Sequence, residues 1–266
     1  MTLTDKPVIR GVVADVDGVV YRGESPIPDA VEAFRRWNEA VVPYCFVTNN
    51  STQTAAFFAA KLTRLGVSAS PEQVITSSAA TAAFLKAQRP DARTAFVLGS
   101  AALRSALTEA GLAITEQRPD VVVVGLDREL TYATLKTATR AVLAGATLIG
   151  TNPDPRLPVD DGFDPGAGSV LAAVTTATGT EPLIIGKPQP GMIELALGRL
   201  GTPRDSTVMI GDQVATDIVA GQRAGLKSIL VTTGVPRDHA AAPDLVVDSL
   251  LDLFPPDVDG KNRVLP

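Results

Sequence analysis

Four short segments of the chain each place polar side chains directly after a short apolar run. The side chains are carboxylates, hydroxyls, amides and one lysine, which are groups that bind phosphate oxygens and divalent cations. The segments are Asp15-Val16-Asp17-Gly18, Thr48-Asn49-Asn50-Ser51, Gly186-Lys187-Pro188 and Gly211-Asp212. These residues therefore suggest chemistry on a phosphate group as the first hypothesis.

Asp15 and Asp17 provide two carboxylates with separable roles. A carboxyl with a reference pKa of about 3.9 is ionised at neutral pH, so Asp15 can attack phosphorus and form an aspartyl phosphate. Asp17 can protonate the departing alcohol and later deprotonate the attacking water. We predict Asp15 as the nucleophile and Asp17 as the general acid and base, with Gly18 turning the chain. Taken alone, the motif is equally typical of a strand-end turn that carries solvated acids.

A divalent cation is expected if Asp212 lies close to Asp15. Two like unit charges about 4 Å apart repel by about 4 kcal/mol at an effective dielectric constant of about 20, and a phosphate ester adds further negative charge. Mg²⁺ prefers oxygen ligands and retains several waters. We therefore predict a magnesium ion held by Asp15 and Asp212, together with a main-chain carbonyl such as that of Asp17.

Lys187 and Asp217 are candidates for supporting roles at this site. Lys187 would supply positive charge; most lysines are solvated surface residues, and its position after an apolar run favours a catalytic role. Asp217 follows Asp212 by five residues. It either stabilises the dipole of a helix N-terminus or contacts the metal indirectly, through a water or a ligand. Both alternatives for Asp217 stay open.

Thr48, Asn49 and Asn50 are candidates for binding the phosphate, and Thr48 is also a catalytic candidate. They can donate hydrogen bonds to phosphate oxygens, and a helix beginning near Ser51 would add main-chain N–H groups. The same residues can instead cap that helix. The two roles are compatible.

Short apolar runs alternate with helical patterns along the chain, which predicts an α/β fold with parallel sheets. Ligands bind outside the carboxyl ends of such strands, so the polar residues after the runs are expected to converge. The predicted strands are Val8–Val13, Tyr44–Val47, Thr94–Leu98, Val121–Val124, Thr147–Ile149, Leu183–Ile185, Val208–Ile210 and Ser228–Val231. The predicted helices are Ala30–Glu39, Thr54–Leu65, Ser100–Ala110, Tyr132–Leu143, Met192–Leu200 and Ala215–Arg223.

The segment between the second and third polar sites is too long and too rich in predicted elements to be a loop, since unstructured loops beyond about 15 residues are uncommon. We predict a domain inserted at residues 78–183, between two parts of a core domain at 1–77 and 184–266.

Composition limits the classes of function. The chain has 266 residues, 45% hydrophobic and 20% charged, with a formal net charge of −5. No segment concentrates Lys and Arg in the way that nucleic-acid binding requires. No run approaches the roughly 18 apolar residues of a membrane span, and the start of the chain lacks the apolar region of a signal peptide. We expect a cytoplasmic protein that binds neither nucleic acid nor membrane.

The chain contains one cysteine and one histidine. This excludes an internal disulfide framework and Cys-rich or His-rich zinc sites. We expect Cys45 to be a buried strand residue and His239 to be an ordinary surface loop residue.

The polar segments, in this order, resemble the motifs of the haloacid dehalogenase-like phosphatase superfamily. The whole chain looks like its subfamily IIA, the NagD-like branch with 4-nitrophenyl phosphatases and pyridoxal phosphate phosphatases. In addition to the four segments, the resemblance is carried by Thr216-Asp217-Ile218, Ala220-Gly221, Val124-Gly125-Leu126-Asp127-Arg128, Gly150-Thr151-Asn152-Pro153-Asp154 and Pro165-Gly166-Ala167-Gly168-Ser169.

The resemblance implies a Rossmann-like core and an inserted α/β cap domain of the C2 type that closes over the substrate. It implies a small phosphorylated metabolite as the substrate, and the branch acts on sugar phosphates, nucleotide monophosphates, pyridoxal phosphate, glycerol phosphate and aryl phosphates. Residues 160–169 are where we expect substrate selection. Relatives often pair through their caps, so a homodimer is a further expectation. The roles implied are Asp15 as nucleophile, Asp17 as acid and base, phosphate contacts from Thr48, Asn49 and Lys187, and Mg²⁺ held by Asp15, the Asp17 carbonyl and Asp212.

Gln213 departs from the resemblance, because relatives often have Asn or Arg at this position; we expect the metal site to be intact. A nicotinamide dehydrogenase is disfavoured because Gly166-Ala167-Gly168 lacks a third glycine in register. A P-loop kinase is disfavoured because Pro188 follows Lys187, and a dehalogenase would not need Asp17. The remaining alternative is a catalytically silent ligand-binding or regulatory protein on the same fold.

Overall fold

The computed structural model describes residues 8–159, 162–234 and 240–254. His239 and residues 160 and 161 of the expected selection loop lie outside the described residues. The chain divides into two compact units. The core unit comprises Met1–Thr48, Ala56–Ile75 and Lys187–Pro266, and the inserted unit comprises Asn49–Ala55 and Thr76–Gly186.

Strands and helices alternate through most of the described chain. The strands are β1 (Gly11–Ala14), β2 (Tyr21–Arg22), β3 (Ser25–Pro26), β4 (Tyr44–Thr48), β5 (Val74–Thr76), β6 (Thr94–Leu98), β7 (Ala113–Ile114), β8 (Val121–Val124), β9 (Thr147–Gly150), β10 (Arg156–Val159), β11 (Gly162–Pro165), β12 (Leu183–Ile184), β13 (Thr207–Gly211), β14 (Lys227–Val231) and β15 (Leu245–Val247). The α-helices are α1 (Pro28–Glu39), α2 (Ala55–Arg64), α3 (Ser77–Gln88), α4 (Ala101–Glu109), α5 (Tyr132–Leu143), α6 (Ala167–Thr178), α7 (Gly191–Leu200) and α8 (Val219–Arg223).

The core unit contains a six-stranded sheet in the order β15-β14-β13-β1-β4-β5. β1 pairs in parallel with both β13 and β4, with Ala14 opposite Ile210 on one side and Phe46 on the other. All four residues of β1 and all five of β13 are buried. Strands buried on both faces are expected to be continuous apolar runs. The carboxyl ends of β13, β1 and β4 are therefore neighbours at one edge of the sheet.

An aromatic cluster anchors α1 to β4. The Phe34 ring centroid lies 5.2 Å from that of Tyr44 and 5.0 Å from that of Phe46, and Trp37 packs against Phe34 at 5.1 Å. Burying one such ring stabilises the fold by about 1.5–3 kcal/mol. The packing holds the strand that ends at Thr48.

The inserted unit contains a five-stranded sheet in the order β12-β9-β8-β6-β7, and its strand pairs are parallel. Its central strand β8 consists of four buried valines. A hydrophobic core forms between this sheet and the helices α5 and α6, with Leu98, Val122, Leu148 and Val174 among its buried members. The hairpin β10–β11 is antiparallel and largely exposed.

The α/β fold with parallel sheets is confirmed, and the differences from the prediction are local. β1 begins at Gly11 instead of Val8, whose side chain is exposed. β12 pairs with β9 in the sheet of the inserted unit. Helix α3 was not predicted, since its alanine- and serine-rich sequence has no distinct apolar stripe. Cys45 is buried in β4, and burial raises the pKa of its thiol to about 11.

None of the helices in the described part of the chain has the length and apolar character needed to cross a membrane.

Candidate active site

Three of the predicted site residues lie at the carboxyl ends of adjacent strands in the six-stranded sheet. Asp15 directly follows β1, and its N–H donates to the carbonyl of Ile210 at 2.9 Å, which extends the ladder with β13 by one residue. Asp212 directly follows β13, and Thr48 is the last residue of β4. Asp15 and Asp212 come together because their strands are hydrogen-bonded neighbours in parallel register.

Lys187 forms a buried ion pair with two carboxylates. Its Nζ donates to Asp15 Oδ1 at 2.5 Å, to Asp217 Oδ1 at 2.7 Å and to the carbonyl of Val47 at 3.2 Å. Only 2% of Lys187 is exposed. Burial alone lowers the pKa of a lysine, but the Asp15 and Asp217 carboxylates outweigh burial and raise the pKa of Lys187 above its usual range. The residue is therefore a fixed cation.

Three buried carboxylates form a cluster that suits a metal ion. One oxygen from each of Asp15, Asp212 and Asp217 lies within 4.8 Å of the others. Burial raises the pKa of Asp15 well above its usual range, Lys187 opposes the rise, and the charges of Asp217 and Asp212 add to it. When all three carboxyl groups are ionised, their negative charge exceeds the positive charge of the one ammonium. Hard oxygen donors with such an excess fit a divalent cation such as Mg²⁺.

Gly18 forms the turn that follows β1. Its φ of +79° lies in the left-handed region, which glycine adopts without steric cost. A Cβ at this position would lie 2.3 Å from Asp212 Oδ2. Glycine is therefore required at position 18 both for the turn and for the close approach of the Asp212 carboxylate.

Asp17 is exposed to solvent, unlike Asp15. The protein packed around its carboxyl nonetheless raises the pKa of Asp17, while Lys61, Lys187 and a hydrogen bond from the Tyr21 hydroxyl oppose part of that rise. The Nζ of Lys61 lies 3.9 Å from the centroid of the Tyr21 ring and donates to the carbonyl of Gly23 at 2.8 Å. A raised pKa favours the protonated form that a general acid needs.

Sequence reasoning did not identify Tyr21 or Lys61. Tyr21 lies close to the first motif in the sequence, and this position could have identified it as a site residue. Lys61 lies in a predicted helix, where a lysine is normally solvated.

Asp217 occupies a place that the sequence did not predict. Val214–Ile218 form a single π-helical turn before α8, instead of the start of a regular α-helix. Asp217 is buried there, and its Oδ2 accepts a hydrogen bond from the N–H of Gln213 at 3.1 Å. A Cβ at Gly211 would lie 2.1 Å from the Cβ of Asp217, so glycine permits this approach. Beyond the two roles left open above, Asp217 pairs directly with Lys187.

Asn49 and Asn50 belong to the inserted unit and are held by its own residues. Asn49 Nδ2 donates to Asp154 Oδ2 at 2.9 Å, and the Asn49 carbonyl accepts from Asn152 Nδ2 at 2.7 Å. Asn50 Oδ1 accepts from both the N–H and the hydroxyl of Thr52, at 2.7 and 2.9 Å. The helix after this segment, for which a start near Ser51 and the range Thr54–Leu65 were both considered, begins at Ala55. Asn50 therefore stabilises a turn ahead of α2.

Two family models together match most of the chain. Residues 12–113 match the family model described as haloacid dehalogenase-like hydrolase, and residues 184–253 match a second model described as HAD-hydrolase-like.

Curated relatives cover nearly the whole chain. The 5'-nucleotidase YutF of Bacillus subtilis (strain 168) is 40% identical over 251 residues, which are 92% of this chain and 98% of the relative. An acid sugar phosphatase of Staphylococcus haemolyticus is 40% identical over 227 residues, which are 85% of this chain and 86% of that protein.

Solved structures agree in fold. A single mutant of a thermostable NPPase from Geobacillus stearothermophilus superposes with a TM-score of 0.87 at 41% identity, covering 92% of this chain and 98% of that one. NagD from E. coli K-12 superposes with a TM-score of 0.85 at 33% identity, covering 91% and 97%. With these matches over almost its full length, the chain belongs to the haloacid dehalogenase-like hydrolases, in the subfamily that contains NPPase and NagD.

Proposed function

We propose that this enzyme is a Mg²⁺-dependent phosphatase that hydrolyses small phosphorylated metabolites through an aspartyl phosphate on Asp15. It is a phosphoric monoester hydrolase of its family, whose curated and solved relatives are named as phosphatases and a nucleotidase. The observation that carries the proposal is the buried pairing of Asp15 with Lys187 beside Asp212 and Asp217. A nucleophilic carboxylate placed between fixed positive charge and metal ligands matches the needs of phosphoryl transfer.

In the first half-reaction, an oxygen of Asp15 attacks phosphorus and the bond from phosphorus to the leaving oxygen breaks. Asp17, protonated as its raised pKa favours, gives its proton to the leaving oxygen. In the second half-reaction, Asp17 takes a proton from water, whose oxygen attacks phosphorus and breaks the bond to Asp15. Inorganic phosphate leaves, and both carboxyl groups return to their starting states.

The positive charge for this reaction would come from two sources. Lys187 holds the Asp15 carboxylate in place and supplies a permanent cation. Asp15, Asp212 and the Asp17 carbonyl would hold Mg²⁺, and Asp217 would orient Lys187. When bound, the cation neutralises negative charge on the phosphoryl oxygens.

Phosphate contacts would come from Gly18, Thr48, Asn49, Asn50 and Lys187. Thr48 ends β4 beside the strand that carries Asp15, which supports its assignment. For Asn49 and Asn50 the support is the resemblance of the Thr48-Asn49-Asn50-Ser51 motif to that of the family.

The inserted unit would act as the α/β cap of the C2 type and select the substrate. The names of the relatives favour nucleotides, sugar phosphates and p-nitrophenyl phosphate as first candidates, with pyridoxal phosphate and glycerol phosphate in the same test panel.

A homodimer remains a prediction, which light scattering would test. A cytoplasmic location also remains a prediction, which fractionation of cells that contain the protein would test.

The test is hydrolysis of p-nitrophenyl phosphate by the full chain with Mg²⁺ and with EDTA. We expect turnover only with Mg²⁺, and no turnover by Asp15→Asn. Intact-protein mass spectrometry after acid quench should detect one added phosphoryl group on the wild type but not on Asp15→Asn. The matched control is Asp205→Asn, which alters an exposed aspartate and should behave as the wild type.

Full activity in Asp15→Asn would remove Asp15 as the nucleophile. A wild type that binds phosphate without turnover would instead support the silent ligand-binding alternative.

A further inference from the structure

Thr233 and Gly234 lie two and three residues after the end of β14, a strand that carries none of the residues assigned a chemical role. They nevertheless contact the two segments that carry Asp15 and Asp212 at the ends of β1 and β13. One contact is with the turn after β1, and the other is with the side chain of Asp212.

Thr233 fixes the turn at Gly18. Its hydroxyl donates to the carbonyl of Gly18 at 2.7 Å, and the N–H of Gly18 donates to the carbonyl of Tyr21 at 2.8 Å. Both main-chain polar groups of Gly18 are thus engaged while it holds its left-handed conformation. Thr233 is held in turn, because the guanidinium of Arg22 donates to its carbonyl.

Gly234 faces the carboxylate of Asp212. A Cβ at Gly234 would lie 1.8 Å from Asp212 Oδ2, and a Cβ at Gly18 would lie 2.3 Å from the same oxygen. Real side chains do not approach that closely, so both positions require glycine. The carboxylate of Asp212 therefore lies between Gly18 and Gly234. The carbonyl of Gly18 accepts a hydrogen bond from Thr233, the residue before Gly234.

We propose that Thr233 and Gly234 are positioning residues that hold the Asp212 carboxylate and the Gly18 turn in the arrangement that binds Mg²⁺. This inference rests on the proposed function and extends it to a strand without catalytic residues. Neither residue need touch substrate or metal. Groups that orient metal ligands typically contribute 10–100-fold to metal affinity or activity, which is the order of effect expected for Thr233.

Thr232 provides a matched control one residue away. Its hydroxyl also donates a 2.7 Å hydrogen bond, to Asp248 Oδ1, but it is exposed and its partner is not a site residue. Replacing either threonine by valine removes one hydroxyl and preserves the branched shape. The two variants therefore differ in which bond is lost.

The test is calorimetric titration of Mg²⁺ into the metal-stripped full chain, together with the Mg²⁺ dependence of p-nitrophenyl phosphate hydrolysis. We expect Thr233→Val to weaken Mg²⁺ binding by about tenfold or more and to need correspondingly more Mg²⁺ for half-maximal rate. Thr233→Ser keeps the hydroxyl and should restore the affinity. Thr232→Val should match the wild type.

For the glycine, Gly234→Ala should lose Mg²⁺ binding, whereas Gly198→Ala, where an added Cβ meets nothing within 4 Å, should not. If Gly234→Ala fails to fold, the threonine variants decide the matter. Equal Mg²⁺ affinity in Thr233→Val and Thr232→Val, or no rescue by Thr233→Ser, would overturn the inference.

Different results would contradict the proposed function and the role of Thr233. A wild type without Mg²⁺-dependent turnover contradicts the proposed function, whereas an active wild type with an unaffected Thr233→Val contradicts the role of Thr233 alone.

Discussion

Lys187 illustrates how a buried charge is stabilised by its partners. Its Nζ lies 2.5 Å from Asp15 and 2.7 Å from Asp217, and all three side chains are almost fully buried. Removing one member of such a group leaves uncompensated charge in a medium where charges are poorly solvated. The same pairing that serves the proposed chemistry is therefore also a constraint on stability.

We predict that Lys187→Met loses both activity and stability. Turnover should fall by about 100-fold or more, as when one donor to the reacting group is removed. Unfolding free energy should fall by about 3 kcal/mol, because Asp15 and Asp217 then face each other without a cation. Steady-state kinetics and urea unfolding measure the two effects. Lys136→Met, which alters an exposed lysine, is the control, and a stable, active Lys187→Met would contradict the prediction.

The proposed acid role of Asp17 predicts a dependence on the leaving group. An alkoxide leaves poorly without a proton, whereas p-nitrophenolate leaves readily. Asp17→Asn should therefore lower kcat/KM for glycerol phosphate by about 10²–10⁴-fold and that for p-nitrophenyl phosphate by much less. Equal losses for the two substrates would argue that Asp17 acts in some other way than by protonating the leaving oxygen.

At the scale of elements, the order of strands decides which side chains meet. β1 lies between β13 and β4, so the residues at the carboxyl ends of these strands converge at one edge. The π-helical turn Val214–Ile218 then places Asp217 next to this edge instead of on a helix surface. Helix α1 contributes by packing its apolar face on β4, through Phe34.

The polar face of α1 provides a prediction about pH. Hydrogen bonds from Arg35 and then Arg36 lower the pKa of Glu32 to about 2. Because the unfolded chain has the higher pKa, about 4.3, it binds more protons than the folded chain between the two values. The contribution of Glu32 to stability is therefore complete above about pH 4.3 and is lost as the pH falls towards 2.

We expect Glu32→Gln to destabilise the protein by up to about 1 kcal/mol at neutral pH, since partly exposed ion pairs are screened by water. The difference from the wild type should shrink between about pH 5 and about pH 3. Urea unfolding of both proteins across this range is the measurement. Glu116→Gln, an exposed glutamate of the inserted unit, is the control; a constant difference for Glu32→Gln would contradict the assignment.

At the scale of the whole molecule, two segments of the chain, Asn49–Ala55 and Thr76–Gly186, form the inserted unit. The remainder of the chain forms the core unit. The first segment of the inserted unit begins directly after Thr48 and the second ends directly before Lys187, and both of these are proposed site residues. The carboxylate cluster and its lysine all belong to the core unit. Metal binding should therefore stabilise the core unit directly.

We predict that Mg²⁺ raises the unfolding temperature of the metal-stripped protein. At about 100 times the dissociation constant, the added stability is about 2.7 kcal/mol, or about 5 °C or more for a chain of this size. Differential scanning calorimetry measures the shift. Asp212→Asn should abolish it and Asp205→Asn should retain it; a wild-type transition indifferent to both Mg²⁺ and EDTA would contradict a cation site in this cluster.

Much of the fold was predictable from local patterns. Continuous valine and isoleucine runs such as Val121–Val124 predict buried parallel strands, and the structure has them there. Tyr132–Leu143 was predicted to the residue from its helical period, and in the structure Thr131 caps this helix. Short or weakly patterned elements such as β2, β3 and α3 were missed, since their stability comes from tertiary contacts more than from their own periodicity.

The sequence by itself determined which chemistry to expect, because carboxylates, amides and a lysine at strand ends predict a site for phosphate and a cation. Only the tertiary structure decided that Lys187 joins Asp15 to Asp217, residues separated from it by 172 and 30 positions, and that Gly18 and Gly234 enclose one carboxylate. Side-chain types and periods are local properties, whereas these contacts depend on sheet order, register and main-chain turns that bring distant residues together.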